Sequence, residues 1–600
     1  MAAPLAAPAP VVPAASLDTT LSRWATFSRW AAWLVPLLSF LSLFPLVTPM
    51  PTWDQWSLGE VWAARFEGKP VLPLLLAPYN GHRNVLPRLF FYALGRASHW
   101  NVRLEVVASY VAACITLGLL LRMASRLGTH GRLLALPIAA QAFCLLQYEN
   151  FMSGYPFGQN LSHLLVTTVV FLLTRPVLGT AGFAGAATAA MAATFSWGAG
   201  LAAFPVGLLA LLFRGERRPA RWLTWTALTV VAAAIVRQSA AGAFRPVPWA
   251  QFPAFFLALL GKAWSPFAVP SPRVTVALGA LALLVFTVTA SWVWVRQRER
   301  GLPWIVLGCC SLVAAGLISI GRTGDGMGQA LASHYVTTTY PLAVACLVLS
   351  TLLILELRPA VAATTLRWTA VAVVAIGFTL QPALASRQSL VMVRGWDPIV
   401  RRNSLAIARG TATDAQIRES DHPVPVLVRD ATEVLRAHRL AWFRQLLDGG
   451  APIGTVDRLA GQGGASASFA VEAGQPWTIE GWAVRSRDKG GPVRAIELFV
   501  DGRLVAAPAT LDQPRDDVAA YYHSDGFRLS GWSMSVPAGA VAAGSHRLSV
   551  VAVDFAGGRY PLLETELQVA AAAAAVERPA KVASRPSASP SRYGTVAAGA

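Results

Sequence analysis

Long apolar runs fill the first two thirds of the chain, between Trp30 and Leu384, and polar loops separate them. About eleven of these runs have roughly 15–20 residues, the length that crosses the hydrocarbon core of a bilayer as a helix. The predicted membrane helices lie at about 31–49, 104–121, 133–147, 160–174, 177–195, 199–213, 222–236, 274–295, 303–320, 337–356 and 366–384. The pattern predicts a mainly α-helical polytopic membrane protein.

Arginine clusters occur on every second loop between these runs. The clusters are Arg23/Arg29, Arg122/Arg126/Arg132, Arg175, Arg214/Arg217/Arg218/Arg221, Arg296/Arg298/Arg300 and Arg358/Arg367. Short loops rich in Lys and Arg remain on the cytoplasmic side of a membrane. An odd number of crossings therefore leaves the N-terminus in the cytoplasm and the C-terminal third outside.

The spacing of apolar residues along the sequence changes after Leu384. Residues 386–460 carry apolar positions at three- and four-residue steps, which predicts a helical connector. Short runs that alternate apolar and polar residues follow, with Asp501-Gly502 as a hairpin turn, and so many short strands predict an all-β sandwich. The predicted organisation is a disordered tail at 1–30, a transmembrane domain at 31–385, the connector at 386–460, the sandwich at 465–570 and a disordered tail at 571–600.

Composition supports the membrane class. Hydrophobic residues make up 54% of the chain and charged residues 14%, whereas soluble domains carry about 25% charged residues. Much of the net charge of +19 lies in the predicted cytoplasmic arginine clusters, close to anionic lipid head groups. No soluble segment has a basic stripe with interleaved aromatic residues, so membrane lipids are expected partners and nucleic acid is not. The five cysteines lie in apolar runs and form no zinc-binding pattern.

Topology leaves few acidic residues near the outer face. Before Ser386 these are Asp54, Glu60, Glu67, Glu105, Glu149 and Asp325. Asp54 is the foremost candidate, because it follows the first predicted membrane helix within Trp53-Asp54-Gln55-Trp56, and a carboxylate desolvated by tryptophans is a better base. The alternative is that Asp54 is a helix N-cap.

Basic residues in two outer loops are candidates for phosphate binding. His82, Arg83 and Arg88 lie in the first loop, and the arginine forks match phosphate geometry. The alternative for these arginines is that they reach the lipid head groups, as interfacial arginines commonly do. Arg322, Asp325, His334 and Tyr335 are candidates for phosphate contact in a glycine-containing loop, which could otherwise be an ordinary solvated loop.

Two further polar positions could contact a sugar. Glu149 lies at the outer end of the third predicted membrane helix and could bind sugar hydroxyls, or be an exposed carboxylate at a helix end. Gln159, with Asn160 and His163, could line the same cavity or cap the next helix. The chain contains no P-loop, GxSxG or HExxH motif, so nothing points to ATP hydrolysis, a serine hydrolase or a zinc protease.

These features together resemble the GT-C class of integral-membrane glycosyltransferases. The shared features are a first helix followed by an outward loop with an acidic residue, amphipathic helices in that loop, about eleven spans and a periplasmic C-terminal domain. The stretches WDQW, GHRNVLPRL, QYENFMSGYPFGQ and ASHY look like motifs of uncharacterised bacterial members. The resemblance implies that the acid of the first loop is the catalytic base and that the donor is a polyprenyl-phosphate-linked sugar.

The sequence departs from that pattern at two motifs. Asn80-Gly81-His82-Arg83 stands where the class is expected to carry NEHR, and Ser333-His334-Tyr335 stands where SRY is expected. Gly81 removes an acid and His334 replaces an arginine, so either change could weaken catalysis or alter the substrate. The β-rich segment looks like sandwich domains appended to carbohydrate-active proteins.

The resulting hypothesis is sugar transfer at the outer face of a bacterial inner membrane. The partners would be a polyprenyl-phosphate-linked sugar and a glycan or lipid acceptor of the cell envelope, with Asp54 as the base. No cofactor is required by the sequence, although a divalent cation could take part. Two alternatives are a non-catalytic transporter or flippase of lipid-linked saccharides and an assembly subunit whose sandwich binds polysaccharide.

Overall fold

The computed structural model describes residues 14–79, 81–240, 246–356, 363–420, 422–448, 450–463, 468–505 and 507–571. The chain divides into two compact units, Met1–Asp448 and Gly449–Ala600. The first unit is helical and the second is built mainly of β-strands. A helical first part and a C-terminal β-sheet domain were both predicted, and both are confirmed.

The described part of the first unit folds into α-helices joined by short turns. These are α1 (Ala14–Leu43), α2 (Gly59–Phe66), α3 (Leu72–Leu76), α4 (Val85–Ser98), α5 (Val102–Ser125), α6 (Thr129–Leu133), α7 (Ala135–Ala142), α8 (Glu149–Met152), α9 (Phe157–Leu173), α10 (Thr180–Thr194), α11 (Ala203–Arg214), α12 (Pro219–Ala240), α13 (Phe252–Lys262), α14 (Pro272–Arg296), α15 (Arg298–Arg322), α16 (Met327–Ala330), α17 (Val336–Glu356), α18 (Ala363–Arg409), α19 (Asp414–Ser420), α20 (Pro425–Ala437) and α21 (Trp442–Leu447). Single 3₁₀ turns occupy Phe44–Leu46, Trp53–Leu58, Leu145–Gln147, Gly198–Ala202, Thr323–Asp325 and Ser333–Tyr335.

Seven helical segments of the described chain are long and apolar enough to cross a membrane. They are Leu21–Leu46, Val102–Ser125, Pro219–Ser239, Pro272–Arg296, Arg298–Asp325, Ser333–Glu356 and Leu366–Arg409. The multi-pass class is thereby supported, but the predicted count of eleven spans is not confirmed. The runs predicted at 133–147, 160–174, 177–195 and 199–213 fold as shorter helices, in part because 3₁₀ turns at Leu145–Gln147 and Gly198–Ala202 interrupt two of them.

Two predicted boundaries are wrong. The N-terminal tail predicted at 1–30 is helical from Ala14, because no proline follows Pro13 until Pro36 and nothing stops the helix earlier. Residues 1–13 and the C-terminal tail from 572 onward lie outside the described residues. The last predicted membrane helix, 366–384, does not end there, since α18 continues without a break to Arg409.

The described residues of the second unit form a sandwich of two five-stranded sheets. Its strands are β1 (Ile453–Leu459), β2 (Gln462–Gly463), β3 (Ser468–Glu472), β4 (Trp477–Val484), β5 (Ala495–Val500), β6 (Arg503–Val505), β7 (Ala509–Gln513), β8 (Gly531–Val536), β9 (Gly544–Val553) and β10 (Arg559–Ala570), with a short helix α22 (Asp516–Tyr521). The strand orders are β2-β1-β4-β8-β7 and β3-β10-β9-β5-β6. Because β1 begins at Ile453, the predicted connector at 386–460 is too long and the sandwich starts earlier than the predicted residue 465.

Alternating apolar residues explain the sandwich. Ile479 and Trp532 from one sheet and Leu498, Val550 and Leu567 from the other are buried in one shared core. The β5–β6 turn is the predicted Asp501-Gly502 hairpin, and both of its residues have positive φ, at 49° and 77°. That backbone suits a two-residue turn and favours glycine at the second position.

Helix α20 and the turn after it pack directly on the loop that follows the first candidate membrane helix. The ring of His438 stacks on Phe66 with centroids 3.5 Å apart, and the Ala441 amide donates to the His99 carbonyl at 2.9 Å. Gly59 lies so close to α20 that an added Cβ would be 2.5 Å from the Cβ of Ala431. The helices after α18 therefore belong to the first unit and contact its candidate site.

This close approach predicts a matched pair of variants. We expect Gly59→Ala to cost roughly 1–3 kcal/mol of stability, because the new methyl group overlaps Ala431 and neither backbone can withdraw freely. Gly59→Ala combined with Ala431→Gly should recover most of the loss, since the pair still contains one methyl group. Thermal unfolding in detergent, with limited proteolysis of the α19–α21 segment, measures both. A single variant as stable as the wild type would contradict the packing.

Candidate active site

The turn that carries Asp54 begins at Thr52. The Thr52 amide donates to Gln55 Oε1 at 2.9 Å, and Thr52 occupies the N-cap of the 3₁₀ turn Trp53–Leu58. Asp54 is in the first turn, so the alternative that it is the N-cap is wrong. Trp53 has a φ of 51°, an unusual backbone for a bulky residue. Contacts with other parts of the fold must therefore hold the turn in this conformation.

The buried side chain of Glu105 supports the turn that carries Asp54. Glu105 is 1% exposed, and its two oxygens accept from Gln55 Nε2 at 2.6 Å and from Trp100 Nε1 at 2.9 Å. Gly154 packs against the same carboxyl group and leaves no space for a Cβ. Glu105 is thus engaged by the scaffold and does not face the cleft.

The Asp54 carboxylate is about one quarter exposed and has two tyrosines beside it. The Tyr79 hydroxyl donates to Asp54 Oδ1 at 3.1 Å, and the Tyr155 hydroxyl, which accepts from Asn84 Nδ2 at 3.2 Å, lines the same cleft. Burial, reinforced by the charge of Asp54, raises the pKa of Tyr79 and of Tyr155. Both hydroxyls therefore stay protonated at neutral pH and remain donors.

A histidine from the segment between α19 and α20 faces the same oxygen. His422 is buried, and its Nε2 lies 3.8 Å from Asp54 Oδ1. The Val424 amide donates to His422 Nδ1 at 3.1 Å. Since Nδ1 accepts, the proton of the neutral ring lies on Nε2, directed at Asp54. The distance exceeds a direct hydrogen bond, so the contact is electrostatic.

Arg88 lines the same cleft as Asp54, Tyr79 and Tyr155. Its side chain is 9% exposed, and Nη1 makes a long bond of 3.4 Å to the Ala77 carbonyl. Nε has no hydrogen-bond partner among the described residues. Burial lowers the pKa of Arg88, but a guanidinium remains charged at neutral pH. A buried cation with a free donor beside a carboxylate is suited to bind an anion.

The neighbouring predicted residues His82 and Arg83 contact other elements and do not line this cleft among the described residues. Arg83 Nε donates to the Ser239 hydroxyl at 2.9 Å, at the end of α12. His82 packs against Trp197 with ring centroids 5.3 Å apart. Burial and the nearby charge of Arg322 lower the pKa of His82 to about 4. His82 is therefore neutral at pH 7 and adds no positive charge for a phosphate; Asn80 of the same motif lies outside the described residues.

The second predicted loop forms a linked polar group. Arg322 Nη1 donates to Asp325 Oδ2 at 3.3 Å, and the charge of Arg322 acts on the Tyr335 hydroxyl. His334 Nδ1 lies 2.6 Å from Glu149 Oε2, which also accepts from the His334 amide at 3.2 Å. Burial acts to raise the pKa of Glu149, but these bonds from His334 lower it overall. Glu149 is thus a paired carboxylate and not a free helix-end charge.

The structure places several of the predicted residues close enough to interact electrostatically. The charge of Arg322 acts on both His82 and Tyr155, and the charge of Asp54 acts on Tyr155. Gln159 lies instead in an adjoining cavity, beside Trp197. Sequence reasoning missed Tyr79, Tyr155 and His422. Tyr155 lies within the QYENFMSGYPFGQ stretch that carried the resemblance, whereas no local pattern singles out His422.

The described residues contain no group of three or more His, Cys, Asp or Glu side chains placed to hold a metal ion. The closest partners of Asp54 are two hydroxyls and an imidazole. A divalent cation, which the sequence left open, finds no assembled protein ligand set in this part of the chain.

Comparison with known proteins finds no family model and no curated protein that matches. Among solved structures, the chain is similar to the crystal structure of ArnT from Cupriavidus metallidurans bound to undecaprenyl phosphate. That similarity has a TM-score of 0.37 and 13% sequence identity, and it covers 72% of this chain and 93% of that chain. A likeness this distant does not fix the function.

The lowered pKa of His82 predicts an acid-dependent loss of stability. A pKa below the unfolded value means that the unfolded chain binds the proton more tightly, so the native state loses stability as pH falls from about 6.5 towards 4. We expect His82→Gln, which keeps a neutral polar side chain, to lose less stability over the same range. Thermal unfolding in detergent at pH 7, 6 and 5 compares the two proteins. Parallel curves would contradict a partly buried, neutral His82.

Proposed function

We propose that the protein is a glycosyltransferase that moves a sugar from a polyprenyl-phosphate carrier to a glycan or lipid acceptor of the cell envelope. One observation supports this most directly. A carboxylate able to accept a proton, Asp54, and a buried guanidinium with an unpartnered donor, Arg88, line one cleft. Such a pair suits a reaction in which an acceptor hydroxyl loses a proton while a phosphate leaves.

Asp54 is the proposed general base. An acceptor hydroxyl would approach the exposed part of the Asp54 carboxylate and give its proton to Asp54 as its oxygen attacks the anomeric carbon. The bond between that carbon and the carrier phosphate breaks at the same time, so the electron pair leaves with the phosphate. Tyr79 would keep the carboxylate oriented throughout.

Arg88 is the proposed partner of the carrier phosphate, because its planar fork matches phosphate oxygens. Arg322 and Tyr335 would extend the positive and hydrogen-bonding surface. His82 and Arg83 would shape the edge of the cleft, His82 as a neutral donor. Glu149 and His334, which are hydrogen-bonded to each other, would contact sugar hydroxyls, and the sandwich would bind acceptor glycan.

The proposed location is a bacterial inner membrane, with the N-terminus in the cytoplasm and the Asp54 cleft on the periplasmic side. The alternation of arginine clusters along the chain supports this sidedness. The cleft would then be open to carriers in the outer leaflet and to acceptors in the periplasm.

Cysteine labelling tests the sidedness. In a variant without the five native cysteines, we expect Trp53→Cys to react with a membrane-impermeant maleimide in intact spheroplasts, because Trp53 is 53% exposed and next to Asp54. Arg217→Cys, at an exposed position of a predicted cytoplasmic loop, is the matched control and should react only after permeabilisation. The reversed pattern would place the cleft in the cytoplasm and refute the proposal.

Replacement of the proposed base tests the chemistry. We expect Asp54→Asn to lower sugar transfer by roughly 10²–10⁴-fold, since the amide keeps the shape of the side chain but cannot accept the proton. The assay follows labelled sugar from a purified polyprenyl-phosphate donor into acceptors of isolated membranes. Glu60→Gln, an exposed carboxylate on the same loop, is the control and should retain activity. Unchanged turnover in Asp54→Asn would remove Asp54 from the mechanism, and movement of lipid between leaflets without a new glycosidic bond would favour a flippase.

A further inference from the structure

We propose that His422 is a positioning residue for the Asp54 carboxylate. Its Nε2 proton is directed at Asp54 Oδ1, so that the other carboxylate oxygen, Oδ2, receives the proton of the acceptor hydroxyl. The inference rests on the proposed function, because it gives His422 a part in the reaction for which Asp54 is the base. His422 lies far from Asp54 along the chain, in the segment between α19 and α20.

Both the backbone and the ring of His422 are anchored. The His422 amide donates to the Ile417 carbonyl at 3.0 Å, at the end of α19, and the Val424 amide donates to His422 Nδ1 at 3.1 Å. The side chain is 5% exposed. A buried ring held in this way has little freedom to turn, because its neighbours are close-packed. The fold therefore sets the direction of Nε2.

The segment that carries His422 packs on the turn that carries Asp54. Helix α20 contacts both α2 and the 3₁₀ turn Trp53–Leu58. Gly59, the first residue of α2, has no room for a Cβ against Ala431 of α20. One tightly packed interface therefore holds both partners, and it brings His422 Nε2 to 3.8 Å from Asp54 Oδ1.

Two donors from different parts of the chain approach the same oxygen of Asp54. The Tyr79 hydroxyl donates to Oδ1 at 3.1 Å, and His422 Nε2 lies 3.8 Å from it. A carboxylate oxygen has two lone-pair sites and can accept from both donors. Catalytic hydrogen bonds are often long before substrate binds and shorten in the reactive complex. With Oδ1 held by two donors, Oδ2 is the oxygen presented to the acceptor.

The tautomer of His422 excludes it as the base itself. Nδ1 accepts from the Val424 amide and Nε2 carries the proton, so the neutral ring has no lone pair left for a second proton. Asp54 can take up a proton, whereas His422 can only donate a hydrogen bond. In the proposed step the acceptor proton moves to Oδ2, and His422 neither gains nor loses a proton.

Two substitutions of His422 separate this role from a local one. The side-chain oxygen in His422→Asn can accept from the Val424 amide, as in an Asx turn, but the side chain is too short to donate to Asp54. The longer amide in His422→Gln reaches the position of Nε2 and can donate to Oδ1. We expect His422→Asn to lower kcat roughly ten- to hundredfold with an unchanged KM for the donor, the effect of one lost hydrogen bond to a charged group. His422→Gln should restore most of the rate.

The assay follows radiolabelled glucose, galactose or mannose from undecaprenyl phosphate into acceptors of isolated membranes. Asp54→Asn links any effect of His422 to the base. His422→Asn should cause no further loss of rate in the Asp54→Asn background, because a positioning residue acts only through the group that it positions.

Nuclear magnetic resonance tests the contact without any measurement of transfer. The sample is the full chain in nanodiscs with isotope-labelled histidine, and the His422 signals are assigned by their loss in His422→Gln. We expect a protonated Nε2 and an unprotonated Nδ1, and a shift of the Nε2 signal in Asp54→Asn. A protonated Nδ1, or an Nε2 signal that Asp54→Asn does not move, would refute the contact.

The activity results separate this inference from the proposed function. A fully active His422→Asn beside an inactive Asp54→Asn would overturn the positioning role and leave Asp54 as the base. A normal rate in His422→Asn with a loss in His422→Gln would show that only the turn at Val424 matters, and would also overturn the positioning role. Unchanged transfer in Asp54→Asn would refute the proposed base and the role of His422 with it.

Discussion

The hydrogen bond between Gln55 Nε2 and the buried carboxyl group of Glu105, at 2.6 Å, is the interaction on which the candidate site depends. It ties the turn after α1 to the start of α5. The same glutamine accepts from the Thr52 amide through its other amide atom, so one side chain fixes both the beginning of the turn and its depth. Asp54 can then project into the cleft although Trp53 adopts an unfavourable backbone conformation. A buried carboxyl group with both oxygens satisfied provides rigidity that an apolar contact would not, because its geometry is directional.

The cleft is assembled from segments that are distant in sequence, and this limits what the sequence could reveal. Asp54 and Arg88 were predictable, since outward-facing acids are few and Asp54 lies between two tryptophans directly after the first apolar run, while Arg88 lies in a basic stretch of the same loop. Tyr79 and Tyr155 were not, because a tyrosine near a membrane surface is common and only the fold brings its hydroxyl to a carboxylate. His422 could not be predicted either. It reaches Asp54 only because α20 packs on α2, and no periodicity in the sequence encodes that packing.

The fold was predictable where the pattern of apolar residues alone determines the secondary structure. Hydropathy located the long apolar helices, and period-two alternation with Asp501-Gly502 located the sandwich. Prediction failed where helix propensity continues beyond the apolar run, as at the start of α1 and throughout the second half of α18. It also failed where an apolar run is too short or is broken by a turn, as around Leu145–Gln147. Apolar composition alone does not distinguish a helix that spans from one that packs inside the bundle.

The 47 residues of α18 have a consequence for how the chain can vary. At 1.5 Å per residue such a helix is about 70 Å long, more than twice the roughly 30 Å of a hydrocarbon core. Its far end leads into the short helices that present His422. One inserted residue within α18 would turn everything after it by about 100° and swing that imidazole away from the cleft. The helical phase of α18, and not merely its polarity, is therefore part of what a homologous sequence must preserve.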